Sequence, residues 1–223
     1  MYQELVLNND PKSIISETIR TLRTNLQFAS VDKKIKTILI TSSVPGEGKS
    51  FIAANLACAF AQSGSRVLLV DCDIRKGRQH YIFNSHNKSG LSNLLLENVK
   101  EKYMDYIQET RIKNLSVMFR GVTPPNPSEL LGSRKNKEII EILRNEYDIV
   151  IFDSAPINGG LTDSIIMSTL VDGVVIVSSC KETPISLLNN TKKSLQNVNA
   201  NILGVVLNRA SSKSKKYYGH YYG

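Results

Sequence analysis

Short apolar segments rich in β-branched residues recur along the chain, and segments of helix length separate them. The apolar segments are KTILITSS (36–43), RVLLVDCD (66–73), NLSVMFRG (114–121), YDIVIFDSAP (147–156), DGVVIVSSC (172–180) and NILGVVLNR (201–209). The segments between them, such as 49–64 and 128–147, carry apolar residues at a spacing near 3.6. Strands that are apolar almost throughout and alternate with helices are typical of a parallel sheet buried on both faces. The pattern therefore predicts an α/β fold with a mostly parallel open sheet flanked by helices.

Two regions lie outside this alternation, one at each end of the chain. Near the start, Asp10 and Pro11 have the pattern of a helix N-cap and first turn. The apolar residues that follow at helical spacing are Ile15, Ile19, Leu22 and Leu26. After Arg209 the polar segment ASSKSKKYYGHYYG has no periodicity. We therefore expect a single domain over residues 1–210, which includes the N-terminal helix, and a flexible tyrosine-rich tail over 211–223.

Composition and charge limit the setting in which the chain works. No run of about 18 apolar residues occurs and the N-terminus lacks the order of a signal peptide, so we expect a cytoplasmic protein that reaches a membrane only through a partner. The cysteines Cys58, Cys72 and Cys180 have no metal-binding spacing and are expected to be reduced and buried. The net charge of +8 is compatible with a solvated basic face or with a phosphate-rich or acidic partner.

A phosphate-binding loop is predicted directly after the first strand. The sequence SVPGEGKS spans Ser43 to Ser50 and precedes a helix that ends near Gly64, which is the context that a P-loop requires. Glycines allow the backbone N–H groups of residues 46–49 to approach phosphate oxygens, and the helix N-terminus adds its positive end. Lys49 is expected to bridge the β- and γ-phosphates, and the Ser50 hydroxyl to bind Mg²⁺. Ser43 replaces the first glycine of the usual motif.

Three aspartates at strand ends are expected to face these phosphates. Asp71 and Asp73 lie two residues apart in LLVDCDIR, so their side chains point to the same side while Cys72 points away. Asp153 follows four apolar residues in IVIFDSAP, as a Walker B carboxylate does. Ligands of open parallel sheets bind at the carboxyl ends of the strands, so the three carboxylates should meet there.

These groups are those that phosphoryl transfer needs. The nucleotide clamp and the metal account for Lys49, Ser50 and Asp153, with Asp73 as a second carboxylate near the metal. Asp71 is then available to take the proton of an attacking hydroxyl group. A water nucleophile would make the chain a switch ATPase, and a tyrosine nucleophile would make it a kinase.

The combination of motifs resembles the bacterial tyrosine kinases (BY-kinases) of capsular and exopolysaccharide systems, in the Gram-positive form whose transmembrane activator is a separate chain. The resemblance covers essentially the whole chain. It rests on ExxRxxR as Glu17, Arg20 and Arg23, on SVPGEGKS, on LLVDCDIR as the Walker A′ motif, on NPSELL (126–131), on IFDSAP and on the tyrosine-rich end. The related MinD and ParA ATPases carry a lysine where this chain has Val44, and this difference argues against a partitioning ATPase.

The resemblance implies an ATP- and Mg²⁺-dependent tyrosine kinase that phosphorylates its own C-terminal cluster in trans. The implied acceptors are Tyr217, Tyr218, Tyr221 and Tyr222. Lys49, Asp71 and Asp73 would be catalytic, with Asp71 as general base, and the implied metal ligands are Ser50, Asp73 and Asp153. The implied nucleotide-binding residues are Ser43, Val44, Pro45, Gly46, Glu47, Gly48, Lys49, Ser50, Phe51 and Asn208, the last at a position that reads adenine in P-loop relatives.

The resemblance also implies partners. Glu17, Arg20 and Arg23 would form contacts between subunits of a homo-oligomeric ring, expected to be an octamer; without the resemblance they would be read as a solvated helix face with local pairs. Another expected partner is the cytosolic C-terminal segment of the activator, which would hold the kinase at the inner face of the membrane. A protein-tyrosine phosphatase is also expected. No direct contact between the kinase and nucleic acid is expected. Two alternatives stay open: a nucleotide switch of the MinD/ParA type that controls a membrane partner without tyrosine transfer, and a DNA-binding partition protein.

Overall fold

The computed structural model describes residues 4–29, 35–97, 100–158 and 162–210. The predicted tail, with the four tyrosines expected to be acceptors, lies outside the described residues. Within them the helices are α1 (Val6–Asn9), α2 (Ile14–Phe28), α3 (Lys49–Gln62), α4 (Gln79–Ile82), α5 (Leu91–Leu96), α6 (Pro127–Leu131), α7 (Arg134–Glu146), α8 (Asp163–Ser168) and α9 (Ile185–Asn197), with 3₁₀ turns over Lys100–Tyr106. The strands are β1 (Thr37–Ser42), β2 (Val67–Asp71), β3 (Gln108–Glu109), β4 (Leu115–Met118), β5 (Ile149–Asp153), β6 (Gly173–Ser179) and β7 (Ile202–Asn208).

The strands form one sheet in the order β3-β4-β2-β5-β1-β6-β7. All pairings are parallel except that of β3 with β4. The six predicted strands are all present, each a little shorter than its apolar segment, and the predicted α/β class is confirmed. The two-residue strand β3 was not predicted, because two residues carry no recognisable alternation.

Two apolar cores cover the two faces of the sheet. One lies against α1, α2 and α3, and the other against α5, α7, α8 and α9. Strands β1, β2, β5 and β6 are buried at every residue. Helix α3 is apolar all round, with buried alanines on every side, because α1 and α2 cover the face that turns away from the sheet. The middle of the sheet and the start of α3 are therefore held rigidly where the predicted site lies.

The predicted start of the N-terminal helix is wrong. Helix α2 begins at Ile14, and its N-cap is Ser13, whose side chain accepts a hydrogen bond from the backbone N–H of Ser16 at 3.2 Å. Asp10 instead ends the short helix α1, and its carbonyl oxygen accepts hydrogen bonds from the hydroxyls of Ser13 and Ser16. In the predicted apolar stripe, Ile19 and Leu26 are buried and Leu22 is half-buried, but Ile15 is exposed.

The segment 128–147 is not one helix but parts of two. Helix α6 ends at Leu131, and Ser133 caps α7 by accepting a hydrogen bond from the backbone N–H of Asn136 at 3.2 Å. Gly132 and Ser133 separate the two helices, and only α7 keeps the apolar periodicity that suggested a continuous element.

Two sequence predictions on composition can be compared with the described residues. No helix among them is long and apolar enough to cross a bilayer. Cys58 and Cys72 are buried and free, as predicted. Cys180, which directly follows β6, is free but only half-buried, so the prediction that it is buried is wrong.

Candidate active site

The predicted P-loop connects the end of β1 to the start of α3. Gly46 and Gly48 have positive φ angles of 86° and 92°, which glycine adopts without strain. A Cβ atom on Gly48 would also lie 2.1 Å from Nδ2 of Asn208, so a side chain does not fit there. Among the hydrogen bonds of the described residues, none uses the backbone N–H groups of residues 46–49. The loop therefore presents donors at a helix N-terminus, as phosphate binding requires.

The loop residues differ in exposure. Buried are Ser43, Glu47 and Ser50; half-buried are Val44, Gly48, Lys49 and Phe51; exposed are Pro45 and Gly46. The Ser43 hydroxyl accepts a hydrogen bond at 2.9 Å from the hydroxyl of Thr191 on α9, so the residue that replaces the first motif glycine anchors the loop to a neighbouring helix.

The Glu47 carboxylate points into the protein rather than toward a ligand. One of its oxygens accepts from the backbone N–H of Val44 at 2.8 Å, and the other accepts from the backbone N–H of Ser179 at 3.0 Å and from the Thr183 hydroxyl. Glu47 thereby fixes the loop to the end of β6. The sequence analysis predicted only that the backbone N–H of this residue binds phosphate. No motif in the sequence indicates the partners of its side chain.

Asn208 ends β7 beside the loop. Its Nδ2 donates to the carbonyl oxygen of Glu47 at 2.9 Å, and Nη2 of the following Arg209 donates to that of Gly46 at 2.8 Å. The structure thus places Asn208 next to the P-loop, as the nucleotide assignment requires. Its contact with adenine stays a prediction.

The three aspartates meet at the carboxyl edge of the sheet. Asp71 of β2 and Asp153 of β5 are direct partners in the parallel register, and both are fully buried. Strand β2 ends at Asp71, and the backbone N–H groups of Cys72 and Asp73 both donate to the Asp153 carbonyl oxygen, at 2.8 and 3.1 Å. Cys72 packs into the core on the other face of the sheet, while Asp73 lies on the side of Lys49.

Lys49 links the P-loop to these carboxylates. Its Nζ lies 3.5 Å from Oδ2 of Asp73. Burial by itself lowers the pKa of Lys49, but the charges of Asp153, Asp73 and Asp71 outweigh burial and raise this pKa above its ordinary value of 10.5. The ammonium group is therefore held in its charged form, which is the form that binds phosphate oxygens.

The two paired aspartates have raised pKa values. Burial is the first cause of the raised pKa of Asp71, and the charge of Asp153 adds to it. Burial also raises the pKa of Asp153, against the opposing effects of the Lys49 charge and of the nearby Ser50 hydroxyl. Ser50 therefore lies close enough to Asp153 to influence it, as expected of two ligands of one metal.

The donor set fits Mg²⁺ only together with other ligands. Oδ1 of Asp71 and Oδ1 of Asp153 are buried and have no hydrogen-bond partner in the described part of the chain. No three histidine, cysteine or acidic side chains among the described residues converge closely enough to hold an ion by themselves. Protein-bound Mg²⁺ commonly uses one or two carboxylates, completed by water and by phosphates of the nucleotide. The residues present fit this kind of site.

The turn after β2 brings further residues to the site that sequence reasoning missed. Gln79 is buried and contacts both Asp71 and Asp153. Arg75 donates from Nε to Oδ2 of the buried Asp163 at 2.7 Å, and Ser128 of the NPSELL segment donates to Oδ1 of the same carboxylate at 2.5 Å. Sequence reasoning gave no role to the basic residues of 75–78 (RKGR), and a single glutamine carries no recognisable motif.

The charged residues of α2 do not share one exposed face. Arg20 pairs with the exposed Glu17 at 2.5 Å, one turn earlier. Arg23 instead turns toward α3, where Nη1 donates to the carbonyl oxygen of Ala59 at 3.5 Å. The structure therefore brings Glu17 and Arg20 together and separates Arg23 from them.

Comparisons with known proteins show which family the chain resembles. The family model described as an AAA domain matches residues 35–204. The putative tyrosine-protein kinase CapB of Staphylococcus aureus is 41% identical over 219 residues, which are 98% of this chain and 95% of that protein. The tyrosine-protein kinase YwqD of Bacillus subtilis is 40% identical over 221 residues, 99% of this chain and 92% of that protein.

Solved structures show the same fold. The crystal structure of the chimerical protein CapA2B2 matches with a TM-score of 0.88 at 43% identity, over 94% of this chain and 91% of that chain. The cell division ATPase MinD of Pyrococcus furiosus matches with a TM-score of 0.65 at 27% identity, over 79% of this chain and 73% of that chain. The fold is that of the P-loop NTPases, related to that of MinD.

Proposed function

The chain belongs to the AAA-domain family and, within it, to the bacterial protein-tyrosine kinases of capsular and exopolysaccharide systems, and we propose that it transfers the γ-phosphoryl group of ATP to its own C-terminal tyrosines. One observation carries this proposal. Asp71 lies beside Asp153 and near Lys49, at the carboxyl end of the sheet where the P-loop begins. One of its carboxylate oxygens accepts no hydrogen bond from any described residue. A general base for a substrate hydroxyl needs such an oxygen.

The P-loop and Lys49 bind and orient the triphosphate. Backbone N–H groups of residues 46–49 and the N-terminus of α3 hold the phosphates, and the Lys49 ammonium neutralises charge on the β- and γ-phosphates. Phe51 and Asn208 border the nucleotide. The γ-phosphoryl group would then lie near the carboxyl ends of β2 and β5, where the aspartates are.

Ser50, Asp73 and Asp153 would hold Mg²⁺ with the nucleotide. The ion supplies charge neutralisation on the β- and γ-phosphate oxygens when it is bound. The Ser50 hydroxyl and the Asp153 carboxylate, which lie close together, would present oxygens for it. Asp73 stays near Lys49 as the outer carboxylate.

Asp71 takes the proton of the attacking tyrosine hydroxyl on Oδ1. A general base works best when its pKa lies near the pH at which the enzyme operates, and burial moves the pKa of Asp71 in that direction. The cationic group of Lys49 opposes this rise and keeps the carboxylate form accessible.

The acceptors are Tyr217, Tyr218, Tyr221 and Tyr222, in a segment whose glycines let the chain enter a narrow site. The segment follows β7, whose last residue Asn208 lies beside the P-loop. We infer that the transfer runs in trans, from the site of one subunit to the C-terminal segment of the next in an octameric ring.

Helix α2 would supply the contacts between subunits. Glu17 is exposed and Arg20 is half-buried, and both can exchange partners with a neighbouring subunit. Large apolar side chains are also exposed on this helix: Ile14, Ile15 and Phe28. Exposed apolar groups beside charged ones are typical of protein interfaces.

The proposed setting is the inner face of the cell membrane. There the cytosolic C-terminal segment of a transmembrane activator would hold the kinase, and a protein-tyrosine phosphatase would reverse the modification. The kinase would thereby regulate synthesis and export of a capsular polysaccharide or exopolysaccharide.

Intact-mass measurement of the phosphatase-treated chain after incubation with ATP and Mg²⁺ tests the proposal. The expected result is a series of added phosphoryl groups that map to the C-terminal tyrosines. They should be absent in Lys49→Met and in a chain lacking residues 217–223, but present in the control Lys137→Met on the exposed side of α7.

The same experiment decides about the second candidate, a nucleotide switch of the MinD type, which the similarity to the MinD fold favours. Hydrolysis of bound ATP without any mass added to the chain, with the activator segment present, would overturn the kinase proposal and support the switch.

A further inference from the structure

One buried glutamine connects the two paired carboxylates of the site. The backbone N–H of Gln79 donates to Oδ2 of Asp71 at 3.0 Å, and its side-chain Nε2 donates to Oδ2 of Asp153 at 2.8 Å. The same Nε2 donates to the carbonyl oxygen of Ser50 at 3.1 Å. Gln79 is fully buried. One residue therefore occupies one oxygen of each carboxylate and also touches the start of α3.

The orientation of the Gln79 amide follows from its neighbours. The Ser50 carbonyl oxygen can only accept a hydrogen bond, so the –NH₂ group must face it and the amide oxygen must point away. In the opposite orientation two acceptors would meet, and the Asp153 oxygen would lose its donor. The side-chain amide is therefore held in one orientation by the fold.

Three buried acceptor atoms remain unused around this residue. Oε1 of Gln79, Oδ1 of Asp71 and Oδ1 of Asp153 have no hydrogen-bond partner among the described residues. Buried acceptors without a partner are rare, because each carries a desolvation cost of about 1–3 kcal/mol. Such atoms indicate a site that a cation or a donor group of a ligand completes.

The turn that carries Gln79 is packed tightly against Asp71. A Cβ atom on Gly77 would lie 2.1 Å from Oδ1 of Asp71, so this position admits only glycine unless the carboxylate moves. The backbone N–H groups of Lys76 and Gly77 also donate to Asp73, at 2.9 and 2.6 Å. The turn 73–79 is therefore built around the carboxylates and holds Gln79 against them.

We propose that Gln79 is a positioning residue of the kinase site, which directs the free oxygens of Asp71 and Asp153 toward the metal and the substrate hydroxyl by holding their other oxygens. The inference rests on the proposed function for its chemistry. It adds to the P-loop and the three aspartates a residue that lies outside their motifs.

The test compares Gln79→Met and Gln79→Ala with the unmodified chain. Methionine keeps the length of the side chain and the backbone N–H to Asp71, but removes both hydrogen bonds of the amide. The matched control is Gln62→Met at the opposite, exposed end of α3. Titration calorimetry with ADP is carried out in EDTA and at increasing Mg²⁺, and the Mg²⁺ concentration at which half of the effect on ADP binding is reached is recorded.

The expected result is an unchanged ADP affinity in EDTA and a Mg²⁺ midpoint raised about 10- to 100-fold in Gln79→Met, as found when residues that orient metal ligands are replaced. A purely structural glutamine would weaken ADP binding equally with and without Mg²⁺, and this outcome overturns the proposal, as does an unchanged midpoint. If Gln79→Met does not unfold cooperatively, Gln79→Ala gives the same readout.

The two proposals fail in different ways. If the unmodified chain binds ADP with a clear Mg²⁺ dependence but modifies no tyrosine, the kinase function fails while the role of Gln79 in metal binding still stands. If tyrosines are modified and the Mg²⁺ midpoint of Gln79→Met equals that of the unmodified chain, only the role of Gln79 is wrong.

Discussion

The carboxylate site at the edge of the sheet and the charged face of α2 hold their charges by opposite means. In the site, every charged group depends on residues far away in the sequence, as Asp153 depends on Gln79, 74 positions earlier. On α2, Glu17 and Arg20 pair across a single helical turn. The difference teaches that the buried charges of the site are defined by the tertiary structure, whereas the exposed Glu17–Arg20 pair is arranged by α2 itself.

The two regions also differ in what a charge contributes to stability. An exposed pair one turn apart contributes a few tenths of a kcal/mol, because water screens it. A buried carboxylate loses its hydration, and the protein replaces it only in part, which raises the pKa of Asp71. Replacements in the site should therefore change chemistry strongly, and replacements on α2 should change association while leaving the fold intact.

The largest effect is expected for Asp71→Asn. Loss of the general base should lower the initial rate of tyrosine modification by about 10²- to 10⁴-fold, measured by intact mass. The exposed Asp105→Asn is the control and should leave the rate unchanged. A rate close to that of the unmodified chain would show that the site does not need this carboxylate.

The same variant should become more stable than the unmodified chain as the pH rises. The pKa of Asp71 is raised in the folded chain, so ionisation of this carboxyl opposes folding. The unmodified chain therefore loses stability as the pH increases from 3.8, the ordinary pKa of an aspartate, through the raised pKa. Asn at this position does not ionise. The unfolding midpoint of the nucleotide-free variant should therefore exceed that of the unmodified chain near neutral pH, with a difference that shrinks on acidification. Parallel pH profiles of the two proteins would contradict this reading of the site.

A smaller effect is expected at the start of α2. Ser13→Ala removes the side-chain acceptor for the backbone N–H of Ser16 and should lower the free energy of unfolding by about 1 kcal/mol, measured by denaturant titration. Ser13→Asp keeps an acceptor and should retain the stability. An equal loss in both variants would assign the role of Ser13 to something other than capping.

The smallest effect on the fold is expected for the double replacement of Glu17 and Arg20 by Ala. The free energy of unfolding should change by about 0.5 kcal/mol or less, because the pair is local and partly exposed. The oligomeric mass of the double variant, measured by light scattering, should be lower than that of the unmodified chain if α2 forms the contacts between subunits. Arg134→Ala, which breaks an exposed pair on α7, is the control and should leave the mass unchanged.

Several parts of the fold and of the site were accessible from the sequence. Strand ends and the P-loop follow from local rules: apolar segments form the buried strands, and glycines mark the loop. The positions of Asp71 and Asp153 at the edge of the sheet follow from the end of each apolar segment. The start of α2 was misplaced, because Asp10 and Ser13 both have capping side chains, and only the hydrogen bond to Ser16 decides between them.

The sequence by itself determined the class of fold, the phosphate loop and the three aspartates, because each depends on neighbours within a few positions. Only the tertiary structure decided the direction of three side chains. The Glu47 carboxylate accepts a hydrogen bond from Ser179, and the Arg23 guanidinium contacts α3 rather than Glu17. Gln79 lies between the carboxylates of Asp71 and Asp153. These contacts join segments far apart in the chain. No local pattern encodes them, because the direction of a buried polar side chain depends on which donors and acceptors the packed elements bring within hydrogen-bond distance.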